Sequence, residues 1–128
     1  MSNRGQILED AVCRDLRKRF CNGKRFYLSV AENIKYKDDR GCEREIDDFA
    51  VHYLERKKFY IIIVECKMSD RRNKAIKQLM YSRRYLNLNY PQAKIFTFYA
   101  YNYKPKTGKY TMEWLTWEID KCERKRFL

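Results

Sequence analysis

Residues 45–67 read Glu-Ile-Asp-Asp-Phe-Ala-Val-His-Tyr-Leu-Glu-Arg-Lys-Lys-Phe-Tyr-Ile-Ile-Ile-Val-Glu-Cys-Lys. Two apolar runs of strand character flank a short charged turn, and each carries acid at its far end. Alternate residues of a strand share a face, so Glu65 and Lys67 project together from the end of a buried run. The three-residue connection Glu55-Arg56-Lys57 is a common hairpin length. It pairs Leu54 with Lys58, Tyr53 with Phe59, Val51 with Ile61, Phe49 with Ile63 and Asp47 with Glu65. Opposed residues share a face, which gives one apolar patch ending in Asp47, Glu65 and Lys67. A one-residue slip would set Asp48 opposite Glu65 and replace Phe49, Val51 and Tyr53 by Ala50, His52 and Leu54 against the isoleucines. That is a poorer core, and the buried pattern sets register. Asp47 is therefore favoured, with Asp48 as the alternative. Two carboxylates and a lysine at the end of an apolar hairpin call for a partner, and Mg²⁺ suits such hard oxygen ligands.

Working outward, 128 residues suffice for one domain with one core, residues 1–128. Hydrophobic residues are 45% of the chain, which argues against disorder. The formal net charge of +12 points to a polyanionic partner, nucleic acid first. The five cysteines, Cys13, Cys21, Cys42, Cys66 and Cys122, include no Cys-x-x-Cys pair and are accompanied by one histidine, so no zinc site is expected. They read as reduced thiols of an intracellular protein, cytoplasmic or nuclear. The polar N-terminus lacks a signal-peptide core, and the longest apolar run, Phe59 to Val64, is far too short to span a bilayer.

Leu8, Val12, Leu16 and Phe20 recur every four residues and predict a helix over 4–20, stopped at Asn22-Gly23, with Glu9 beside the apolar stripe. Residues 26–37 read as a strand with irregular alternation, and Asp38-Asp39-Arg40-Gly41 as a turn. After the hairpin, Ser69-Asp70 is placed to cap a helix running to about Asn87. Its polar side carries Lys74, Lys77, Gln78, Arg83 and Arg84, a solvated face or a set of phosphate contacts. Lys94–Tyr101 is an aromatic-rich strand, Lys104–Lys109 a basic turn, Tyr110–Ile119 a last strand, and residues 121–128 a basic tail expected to be mobile. The order is helix, three strands, helix, two strands: an α/β arrangement with a central mixed sheet flanked by helices. The helical crossover over 70–88 makes the third and fourth strands parallel.

These residues resemble the PD-(D/E)XK nuclease superfamily, the restriction-endonuclease-like fold. An acid in the first helix (Glu9), Asp47 within Glu-Ile-Asp, Glu-x-Lys closing the partner strand (Glu65, Lys67) and a polar residue on the next helix (Gln78) follow its pattern. The family's α-β-β-β-α-β core matches the order above over nearly the whole chain. One departure is Ile46 where a proline often precedes the Asp. The resemblance implies a metal-dependent phosphodiesterase acting on DNA, with RNA left open. It implies that Asp47, Glu65 and the backbone carbonyl of Cys66 bind Mg²⁺ or Mn²⁺, with Glu9 a ligand directly or through water. Lys67 would orient or help deprotonate the attacking water, and Gln78 would touch the site or the nucleic-acid backbone. Lys74, Lys77, Arg83 and Arg84 would meet nucleic acid. Size, charge and the stretch Ser82-Arg83-Arg84-Tyr85 before a strand are similar to archaeal-type Holliday junction resolvases. This implies branched substrates and a homodimer or a subunit of a repair or recombination machine. A non-catalytic nucleic-acid-binding module on the same fold is the competing expectation.

Overall fold

A computed structural model of the chain describes residues 4–21, 28–55 and 58–126. The elements are α1 (Arg4–Cys21), β1 (Leu28–Lys37), β2 (Glu43–Glu55), β3 (Lys58–Cys66), α2 (Arg72–Asn89), β4 (Ala93–Lys104), β5 (Lys109–Trp114) and α3 (Thr116–Arg126). The strands form one sheet in the order β1-β2-β3-β4-β5. β3 and β4 run parallel, because α2 carries the chain back across the sheet, and the other neighbours are antiparallel. No helix among the described residues is long and apolar enough to cross a membrane.

The hairpin takes the register that its apolar pattern favours: Tyr53 opposes Phe59, Val51 opposes Ile61, Phe49 opposes Ile63 and Asp48 opposes Val64. The expected Leu54–Lys58 pair is not formed. Glu55 opposes Lys58 instead, which leaves Leu54 as the extra residue of a bulge. Residues 56 and 57 of the turn, the expected helix stop at Asn22-Gly23 and Phe26 of the expected first strand lie outside the described residues.

β3 is buried on both faces, which is why it reads as a continuous apolar run. Ile61 and Ile63 join a core with Ala75, Leu79 and Leu86 of α2 and Ile119 of α3. Ile62 and Val64 join a second core with Leu8, Val12 and Leu16 of α1. The irregular alternation of β1 has a local cause. Val30 packs with the α1 core, whereas Ile34 and Tyr36, of the same parity, pack with the α2 core. Between them Asn33 adopts φ 54°, a left-handed conformation that Asn tolerates better than most residues. Across the ladder Ala50 and Ile46 divide between the two cores in the same way. The two strands thus change face beside Asp47.

Three expectations are corrected. The strand expected over 110–119 ends at Trp114, and the chain turns helical at Thr116. Leu115 and Ile119, four apart, are fully buried, and Thr116 Oγ1 accepts the Thr97 N–H at 2.8 Å. Burial of that pair, with Glu118 in the first turn of the helix, outweighs the alternation. The basic segment expected as a tail is therefore helical as far as Arg126. At the start of α2, Ser69-Asp70 provides no cap: the boundary residue is Arg71, without a side-chain capping bond. The Arg71 N–H instead donates to Tyr99 Oη at 3.1 Å, so β4 satisfies part of the helix start.

Candidate functional site

β2 and β3 deliver acid to one end of the hairpin, and α2 closes the space above it. The result is a cleft of about 300 Å³ whose lining includes Asp47, Glu65, Lys67 and Gln78. Asp47 is fixed by backbone: the Cys66 N–H donates to its Oδ2 at 2.8 Å. Lys67 Nζ lies 3.3 Å from Glu65 Oε1 and donates to Gln78 Oε1 at 3.3 Å. The Lys67 N–H is held in turn by the Ala100 carbonyl at 3.0 Å. Gln78 and Ser82 are one turn apart on α2 and both line the cleft. Ser82 is anchored by a 2.9 Å hydrogen bond with the buried Tyr36 hydroxyl.

Glu9 enters from α1. Carboxylate oxygens of Glu9, Glu45 and Asp47 lie within 4.8 Å of one another. With its amide nitrogen turned toward the carboxylates, Asn33 donates to Glu45 Oε1 at 2.6 Å and to Glu9 Oε2 at 2.7 Å. The face change at Asn33 lets this end of the hairpin meet α1 and α2 at once.

Three carboxylates, Glu9, Glu45 and Asp47, thus gather at one side of the site, and a fourth, Glu65, pairs with Lys67. Arg44 also lines the cleft, but its guanidinium is bonded to Asp38 at 2.8 Å and lies 3.6 Å above the Tyr81 ring. The acids respond by holding protons. Burial, then the neighbouring Asp47, pushes Glu65 up to about 9. Burial, then Asp47 and Glu45, pushes Glu9 up to about 8. Burial also raises Asp47, against the Cys66 N–H and the Lys67 ammonium, which favour its charged form.

All five residues expected to do chemistry, Glu9, Asp47, Glu65, Lys67 and Gln78, therefore meet at this place. Asp48 does not. The alternative to Asp47 opposite Glu65, it is instead fully buried on the α1 side. Cys66 also turns its thiol to that side, as strand alternation requires, and the thiol donates to Asp48 Oδ2 at 3.4 Å. Of the four expected nucleic-acid contacts, Lys74 and Lys77 are exposed on α2. Arg84 is largely exposed and pairs with Asp39 at 3.0 Å. Arg83 is 12% exposed and bonded to Asp120 and Glu123 of α3, so its charge is engaged within the fold. The helix that holds it was not foreseen. Tyr85 packs its ring on Tyr36 at 4.4 Å, consistent with a packing role.

Sequence reasoning missed Asn33 and Glu45. Glu45 stands two residues before Asp47, a spacing that should have joined it to the cluster. Asn33 is an asparagine inside a strand, a residue depleted there, and that oddity was the available signal.

Compared with protein-family models, with curated proteins and with solved structures, the chain finds no match.

Proposed function

We propose that the protein is a Mg²⁺- or Mn²⁺-dependent nuclease of the PD-(D/E)XK type that hydrolyses phosphodiester bonds in DNA. The observation that carries this reading is the convergence of Asp47, Glu65 and Lys67 in one cleft, with Gln78 beside them and Glu9 beside Asp47. Asp47 and Glu65 come from two adjacent strands in the register expected, Lys67 follows directly after the second, and Gln78 and Glu9 come from helices on opposite faces of the sheet.

The donors fit a hard divalent cation. They are carboxylate oxygens partly or wholly out of water, and burial raises the pKa of each of Glu9, Asp47 and Glu65, so a cation beside them would stabilise their charged forms. Asp47 and Glu65 would hold the ion, with the Cys66 carbonyl and, directly or through water, Glu9 as further ligands. When bound, such an ion would supply Lewis acidity and a water acidic enough to yield hydroxide near neutral pH.

The chain's own groups do the rest. The Cys66 N–H fixes the Asp47 carboxylate, so the donor is positioned before substrate arrives. Lys67 is held between Glu65 and Gln78 and can place positive charge against a phosphate that gains negative charge in the transition state. Gln78 spends its oxygen on Lys67, which leaves its NH₂ to donate to a phosphate oxygen. Lys74, one helical turn from Gln78, and Lys77 extend positive charge from the cleft along α2 for the nucleic-acid backbone.

The test incubates purified protein with Mg²⁺ or Mn²⁺ and with junction, duplex and single-stranded DNA and RNA, with and without EDTA. Cleavage of at least one DNA substrate that stops on chelation is expected. Salt-sensitive binding without metal-dependent cleavage of any substrate would instead make the protein a non-catalytic binding module.

A further inference from the structure

The hairpin has a second face, and it carries an acid that the cleft does not use. Asp48 is 0% exposed and turned toward α1. Its Oδ2 accepts the Cys66 thiol at 3.4 Å, but its Oδ1 has no hydrogen-bond partner. A carboxylate oxygen left unpaired out of water is costly, and such an atom asks for an explanation. One donor atom each from Cys13 of α1, Glu32 of β1 and Asp48 of β2 lies within 4.8 Å of the other two. Cys13 is 1% exposed, whereas Glu32 is partly exposed and accepts a bond from Gln6 at 3.1 Å. The cluster is therefore closed on the core side and open to a small ion at Glu32.

We propose that Cys13, Glu32 and Asp48 form a second cation site, behind the cleft, for a thiophilic divalent ion of the Zn²⁺ class. One thiolate with two carboxylates is a borderline-soft donor set. It suits Zn²⁺, or Co²⁺ as its spectroscopic stand-in, and does not suit Mg²⁺. Binding releases the Cys13 thiol proton to solvent, together with any proton on Asp48, and transfers no electrons. One thiolate and two carboxylates exceed the ion's charge by one. Arg17, close enough to act on both Cys13 and Glu32, opposes that excess, whereas Asp10 beside Glu32 adds to it. Cys66 orients Asp48 from behind, as partners of metal ligands commonly do. The ion joins α1 to two strands. Cys13 lies one turn from Glu9 on α1, so the site also fixes the helix that presents Glu9 to the cleft. The expectation of no zinc site rested on finger spacing and on the single histidine. These three ligands are far apart in the chain and only the fold assembles them. The inference does not rest on the nuclease reading.

The test titrates Co²⁺ into the full chain with Cys21, Cys42 and Cys122 replaced by serine, and follows the near-ultraviolet thiolate-to-cobalt charge-transfer band. One equivalent should produce the band, and Asp47→Asn in the cleft should leave it in place. Cys13→Ser should abolish it, and the near-isosteric Asp48→Asn should weaken Co²⁺ binding by about tenfold or more. Added Zn²⁺ should raise the thermal midpoint of the parent but not of Asp48→Asn. No band in the parent, a band that survives Cys13→Ser, or Co²⁺ affinity unchanged in Asp48→Asn would overturn the proposal. Should Cys13→Ser fail to fold, the Asp48→Asn affinity decides the matter.

Discussion

Glu65 is 4% exposed and has Asp47 beside it, and both conditions keep its proton on up to about 9, against an ordinary value of 4.5. Between those two values the folded protein binds a proton that the unfolded chain has already released. Stability therefore falls as pH rises through that window. Glu9, pushed up to about 8, acts in the same direction. In EDTA, thermal unfolding should move to lower temperature as pH is raised from 5 toward 9. Glu65→Gln, which keeps the shape and removes the titration, should flatten that slope. An unchanged slope in the variant would mean that Glu65 is not its source. The three residues at this end of the hairpin were legible in the sequence, because alternation and one choice of register place them together. Their protonation was not, since it depends on how closely α1 and α2 cover them.

At the scale of elements, the bend in β1 decides whether Glu9 can reach the hairpin. Asn33 supplies that bend at φ 54° and also bridges Glu9 and Glu45. Two substitutions separate the roles. Asn33→Gly and Asn33→Ala both delete the amide, but only alanine keeps a Cβ, which the left-handed conformation resists at about 1–2 kcal/mol. Urea unfolding should find Asn33→Ala less stable than Asn33→Gly by about 1 kcal/mol. Equal stabilities would mean that the backbone at residue 33 relaxes without cost. The irregularity of this strand was visible in its broken alternation, but its position and purpose were not. A single left-handed residue leaves no periodic trace. α3 was hidden for a different reason. Tyr110, Met112 and Trp114 alternate as a strand should, and nothing local marks Trp114 as the end. The helix is fixed by burial of Leu115 and Ile119 and by the contact of Thr116 with Thr97, all tertiary.

Across the whole molecule, the mixed sheet between helices and the parallel pairing of β3 with β4 followed from element order and hydrophobic pattern. The distribution of basic residues did not. A net charge of +12 says that cations are in excess, not which of them are already engaged. Arg83 is held by Asp120 and Glu123, while Lys74 and Lys77 remain exposed. Arg83→Ala should therefore lower stability by about 1 kcal/mol, as expected for a partly exposed ion pair, and leave DNA affinity unchanged. Lys74→Ala and Lys77→Ala should weaken DNA binding and each reduce the salt slope by about 1. Fluorescence anisotropy over a range of salt concentrations distinguishes these outcomes. A loss of affinity confined to Arg83→Ala would place the nucleic-acid path along α3 instead.

The most direct test of the cleft as a nuclease centre compares wild type with Lys67→Ala on one DNA substrate, with cleavage rate and DNA affinity measured on the same preparations in Mn²⁺. Lys67 lies between Glu65 and Gln78 at 3.3 Å from each, so its loss should strike the chemical step. The expected result is metal-dependent cleavage by wild type, a fall of about 10²–10⁴ in rate for Lys67→Ala, and DNA affinity close to wild type. Equal cleavage by the two proteins, or DNA binding with no cleavage by either, would contradict it.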